Sequence, residues 1–96
     1  VIDMVYSISY DLKTSGRDYN SLIDAIKAYG VWWHQTESVW IIVTEENAPS
    51  VRDNLMKYID QNDQLFVAAL KGEWAGVGFT EKEYNWMKSI PTEKWR

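Results

Sequence analysis

Cysteine is absent from the 96 residues of this chain. A disulfide scaffold, a thiolate zinc site, an iron–sulfur cluster and a cysteine nucleophile are therefore excluded. The one histidine, His34, is too few for a histidine-rich metal site within a single chain. No apolar run approaches the roughly 20 residues that cross a bilayer as a helix. No signal-peptide pattern stands at the front either, so the expectation is no membrane and a cytoplasmic location. Val1-Ile2-Asp3 precede the first methionine, Met4, and are read as a remnant ahead of a native start. Positive charge is also scarce, with 10 Lys+Arg against 14 Asp+Glu and a net charge of −4. Proteins that grip nucleic acid through its phosphates carry basic surfaces, because counterion release drives the binding. The acidic balance disfavours a nucleic-acid partner, although a local basic patch or a bound metal would answer it.

Aromatic residues are plentiful at 15%, with six Trp and six Tyr. A surplus of this kind often serves an interface. At 46% hydrophobic and 25% charged residues, the composition is that of an ordinary globular domain. A chain this short builds one modest core, so support from a partner subunit is expected.

Residues 4–11 (MVYSISYD) alternate, with Met4, Tyr6, Ile8 and Tyr10 on one side and Val5, Ser7 and Ser9 on the other. Period two predicts a strand. The polar loop Lys13–Arg17 leads to a helix with Asp18 as its N-cap, marked by Leu22, Ile23, Ile26 and Tyr29 and stopped by Gly30. The β-branched and aromatic segments 31–36 and 38–44 predict two strands joined near Glu37. A second helix opens around Asn47 to Pro49, with Val51, Leu55, Tyr58 and Ile59 as its apolar stripe. After the polar break Asp60–Asp63, residues 64–70 predict the last strand.

The resulting order, β-α-β-β-α-β, predicts an α+β ferredoxin-like domain over residues 4–70. Its four-stranded antiparallel sheet is expected in the order 4-1-3-2, with both helices on one face. The third strand is apolar on both sides, so the other face is expected to be open and to seek a second copy in a homodimer, with Trp33, Trp40 and Trp74 at the interface. Residues 71–96 form an aromatic C-terminal extension. Thr80 and Glu83 spell a capping box for a short helix carrying Tyr84, Met87 and Ile90 and ending at Pro91. This extension is expected to pack on the core or on a partner subunit.

The topology brings Asp11, Asp60, Asn62, Asp63, the Lys13–Arg17 loop and the Glu37 hairpin to one end of the sheet. Asp11 and Asp63 are hard oxygen ligands suited to magnesium or manganese, which activate water for phosphodiester cleavage. Lys13 and Arg17 would hold a phosphate of the nucleic acid. The competing reading makes these acids solvated turn formers. His34 reads as a packed or interface residue rather than a general base. Ser7 and Ser9 lack a nucleophile elbow, and KTSGR does not fit a phosphate loop. Trp32, Trp33 and Trp40 would stack bases if the sheet bound RNA. However, the third strand lacks the aromatic signature of RNA-binding sheets, and packing is the commoner fate of such residues.

Several segments resemble a known family. The strand motif YSISYDL, the helix end Tyr29-Gly30, the segment Glu37-Ser38-Val39-Trp40 and the run Asp60-Gln61-Asn62-Asp63-Gln64-Leu65 are similar to the small CRISPR-associated adaptation nuclease Cas-two and the related VapD proteins. The resemblance covers about residues 4–70. In SYDL, GRDY, RDNL, IDQND and GEWAG the chain looks closer still to short uncharacterised bacterial and phage proteins labelled SinR-like. That label implies a transcription regulator, but no helix-turn-helix pattern is visible. The resemblance to Cas-two implies a ferredoxin-like homodimer. It also implies that Asp11, at the end of strand one, is the catalytic metal ligand in members that cut RNA or DNA. Other members serve only as architectural adaptors.

Three readings follow. The leading one is a homodimeric, non-catalytic interaction or architectural module with no certain cofactor. The second is a metal-dependent endoribonuclease or endonuclease using Asp11 from both subunits with Mg2+ or Mn2+. The third is a nucleic-acid-binding sheet without catalysis.

Overall fold

The computed structural model describes residues 3–14, 16 and 18–90. Four strands, β1 (Met4–Asp11), β2 (Val31–Thr36), β3 (Val39–Thr44) and β4 (Gln64–Ala69), form one antiparallel sheet. Their spatial order is β2-β3-β1-β4, which read from the β4 edge is 4-1-3-2. Between them run α1 (Asn20–Lys27) and α2 (Ala48–Leu55), the latter tightening into a 3-10 turn at Met56–Tyr58. A third helix, α3 (Glu81–Lys88), follows the sheet.

Local chemistry accounts for most of these boundaries. Asn47 caps α2 by accepting the Ser50 N–H at 2.9 Å, with Pro49 in the first turn, where its missing N–H costs nothing. Thr80 and Glu83 close the capping box of α3 reciprocally. After α1 the chain turns through Gly30 at φ 90°, a conformation that penalises any residue with a Cβ. Asp18 does not cap α1 as expected. The helix begins at Asn20, with Tyr19 in the cap position, and the Asp18 carboxylate accepts the Asn20 N–H at 2.8 Å in the turn just before it.

Alternation along β1 and β3 feeds two separate cores. On one face Tyr6, Ile8, Trp40 and Ile42 pack with Leu22 and Ile26 of α1 and Val51 and Leu55 of α2. The register supports this, since Ile8 stands opposite both Trp40 and Val67. On the other face Val5, Trp33, Ile41 and Val43 pack with Met87 and Ile90, flanked by half-buried Leu70, Trp74, Phe79 and Trp86. Each fully buried aliphatic side chain contributes about 1.5–3 kcal/mol.

The second core corrects the expected helix arrangement. Helices lie on both faces, and the chain covers with its own α3 much of the surface that was expected to be open. The physical cause is the one that prompted the expectation. Ile41 and Val43 are as apolar as Trp40 and Ile42, and a covalently attached segment reaches them without the entropy cost of association. The three tryptophans expected at an interface are packed within the chain. Trp40 is 1% exposed beneath the first pair of helices. The Trp33 indole donates to the Glu83 carbonyl at 3.1 Å under α3. Trp74 stacks on Tyr84 with ring centroids 6.4 Å apart. The expected stop of α3 at Pro91 falls outside the described residues.

Among the described residues, no helix is long and apolar enough to cross a membrane. Because Met87 is only 5% exposed in the second core, Met87→Ala is expected to lower stability by about 2–5 kcal/mol in urea unfolding. A change near zero would mean that α3 adds nothing to the folded state.

Candidate functional site

The β1 terminus, the β2–β3 turn and the loop before β4 meet at one end of the sheet, as the topology required. The Tyr10 N–H donates to the Ser38 carbonyl at 3.2 Å, and Asp11 pairs with Gln64 in the ladder. An open cleft of about 630 Å³ lies here, lined by Ser9, Asp11, Asp63, Gln64 and Phe66 among others. The expected metal residues Asp11 and Asp63 thus share a cleft, but they have different surroundings.

The Asp63 carboxylate is an internal acceptor. Its Oδ1 takes the Lys13 backbone N–H at 2.7 Å and the Tyr19 hydroxyl at 3.1 Å. Its Oδ2 takes the same hydroxyl at 2.8 Å and the Asp60 N–H at 2.7 Å. The Asp63 N–H in turn donates to the Asp60 carbonyl at 3.1 Å. One ionised side chain therefore pins the loop after β1, the start of α1 and the turn before β4. Hydrogen bonds to an ionised acceptor are the stronger kind, so the carboxylate serves as a staple.

Asp11 is exposed, at 64% of its side-chain area, and lies 3.4 Å from the Lys13 ammonium. That pair contributes about 0–1 kcal/mol at most. Lys13 therefore faces a carboxylate and is not held ready for a phosphate. Arg17, its expected companion, lies outside the described residues. Among the described residues there is no group of three or more His, Asp or Glu able to hold a metal ion. The donor set does not fit a divalent cation, which needs several free oxygens on one side, because Asp63 is occupied by N–H and O–H donors. No hydrolytic step follows from this arrangement.

The aromatic residues around β2 form a second cluster. The His34 ring stacks on Trp40 at 3.7 Å and 14°, and its Nε2 lies 3.1 Å from the Glu37 carbonyl oxygen. Its neighbours are thus an indole and a carbonyl, an arrangement for packing and not for general base work. The Trp40 indole donates to the Tyr10 hydroxyl at 3.0 Å. Trp32 tilts against Trp40 at 5.3 Å and carries the Lys27 ammonium 5.2 Å from its ring. Of the three tryptophans considered for base stacking, only Trp32 presents an open ring, at 37% exposure.

Sequence reasoning missed two polar groups. Tyr19 was silent because a tyrosine beside a helix start has no motif of its own. The other is Tyr6, whose hydroxyl donates to the Glu46 carbonyl at 2.8 Å. Burial pushes this phenol above its ordinary 10.0. A raised folded-state value means that the contribution is complete below about 10 and is lost as pH rises through the folded value.

Two expectations follow. Asp63→Ala should cost about 1.5–3 kcal/mol, because it removes the charged acceptor shared by the Lys13 N–H, the Tyr19 hydroxyl and the Asp60 N–H. Asp11→Ala should cost less than about 1 kcal/mol. Equal losses in urea unfolding would contradict the division of roles. Unfolding free energy should also fall as the pH climbs past 10, and less steeply in Tyr6→Phe, which loses that titration.

The chain matches no model of a known protein family, and no solved structure matches it.

Proposed function

We propose that the chain is a small ferredoxin-like interaction module that acts without catalysis and works as a homodimer. This is the architectural role implied by its resemblance to Cas-two and VapD proteins. The observation that carries the reading is the outer edge of β4. This strand pairs with β1 on one side and, among the described residues, has no neighbouring strand on the other. Natural edge strands are protected by charge, proline or a bulge. The six residues of β4, QLFVAA, contain no charge and no proline, and their ladder with β1 runs without a register shift.

Phe66 stands opposite Ser9 on this strand and is 68% exposed. A second copy related by a two-fold axis can add its own β4 antiparallel to the first. Self-pairing centred on Phe66 brings the two rings side by side on one face and extends the sheet from both subunits. An isologous contact of this type closes on itself. The six residues of the seam carry no charge, so the strands themselves meet without a like-charge pair.

The nuclease reading finds little support beside this one, because Asp63 is fully engaged and Asp11 is paired with Lys13. Light scattering is expected to give twice the chain mass. Phe66→Lys should give a monomer with an unchanged circular dichroism spectrum. Labelled RNA and DNA should survive long incubation with the protein and Mg2+ or Mn2+. A monomeric wild type at high concentration would overturn the dimer, and cleavage that disappears in Asp11→Ala would replace the module with an enzyme.

A further inference from the structure

At the opposite edge of the sheet, a groove of about 510 Å³ runs between β2 and α3. This volume lies within the range of roughly 300–1,000 Å³ typical of ligand sites. Trp33 borders the groove from the strand and Trp86 from the helix, and two primary amides, Gln35 and Asn85, face it from the two sides; the Trp32 ring turns to the other face of the sheet, onto Trp40. Both amides are on exposed residues, and neither has a hydrogen-bond partner among the described residues. Lys82 and Glu83 also line the groove, and the Glu83 carboxylate accepts the Thr80 N–H at 2.7 Å.

We propose that this groove binds a neutral pyranose sugar. Four ligand classes can be compared against the lining. A phosphate-bearing ligand needs a cluster of cations or free N–H groups. Here Lys82 is the single Lys or Arg of the lining, Glu83 adds an acidic residue to it, and the helix start is closed by its own capping box. A long peptide strand needs a regular edge, and the β2–β3 ladder shifts register between Trp33 and Thr36. A purely apolar ligand would bury the two amides without partners.

A pyranose meets each requirement. One face of the ring is lined with C–H bonds, whose positive edges suit the negative face of an indole. Its rim carries adjacent hydroxyls, each both donor and acceptor. The planar amides of Gln35 and Asn85, with one acceptor and two donors apiece, match that pattern. Trp33 is fixed beneath the groove by its bond to the Glu83 carbonyl, and its ring centroid lies 6.5 Å from that of Trp86, so the platform is held by the second core. The site lies on the edge of the sheet away from β4, so it stands independently of the proposed dimer.

The test is a titration of 15N-labelled protein with the methyl glycosides of glucose, galactose, mannose and N-acetylglucosamine, following the indole N–H signals. Glycerol and a thymidylate oligomer serve as controls. At least one glycoside should shift the Trp33 and Trp86 signals saturably. The Gln35→Ala/Asn85→Ala double variant should weaken that binding about tenfold or more, as the loss of two or more hydrogen bonds predicts. Trp86→Phe, which keeps an aromatic face, should retain more affinity than Trp86→Leu. The proposal is overturned if no glycoside gives a saturable shift up to its solubility limit. It is also overturned if glycerol shifts the same signals equally, if the oligomer binds there in preference, or if the signals move with protein concentration alone because a second copy fills the groove.

Discussion

A strand that is apolar on both sides cannot rest against a single layer. β3 carries Trp40 and Ile42 on one side and Ile41 and Val43 on the other, and all four are buried. Water on either side would cost about 25 cal/mol for each Å² of apolar surface left exposed. The domain therefore has three layers, with α1 and α2 above the sheet and the C-terminal segment below it. Every other placement follows from this. Trp33 is drawn under α3, Trp74 and Phe79 fill the margin, and the indoles that a polar sheet would display become the walls of a core. The sheet is consequently covered on both faces and open at its two edges.

Those edges differ in character. The β4 edge is regular, uncharged and apolar, a surface that satisfies its backbone groups best with another strand. The β2 edge is irregular and bordered by a helix, which breaks its use as a template and creates a recess with free amides. The polar end of the sheet, where carboxylates gather, is held in place from within. Its geometry serves stability, since Asp63 ties the loop after β1 and the start of α1 to the turn where the β1–β4 ladder begins.

Much of the architecture could be read in the sequence because its signals are local. Alternation in MVYSISYD, the Leu22/Ile26 spacing, the Asn47–Pro49 start and the Thr80/Glu83 box each fix an element through contacts within a few residues. What could not be read was long-range. The two-sided apolar pattern of β3 announced that a cover was needed, but not whether a second copy or α3 would supply it. The same applies to the site. Asp11, Asp63 and the β2–β3 turn were correctly brought to one end by topology. Yet a carboxylate bound to Tyr19 and to the Lys13 backbone has the same sequence signature as one awaiting a metal, and only the hydrogen-bond partners distinguish them. Trp40 was misplaced for a related reason, since a strand with no polar side does not show which residue parity faces which layer.

The Asp63 staple also orders events in time. Lys13 and its acceptor are separated by 50 positions along the chain, and the lower layer lies further on still. On a ribosome, which adds roughly 5–20 residues each second, the first strand emerges seconds before the carboxylate that fixes its loop and the helix that shields its underside. The nascent protein must carry an unfinished, oily β-hairpin through that interval. The final quarter of the chain, which looks like an appendage, is the part whose arrival ends the period of greatest exposure to aggregation.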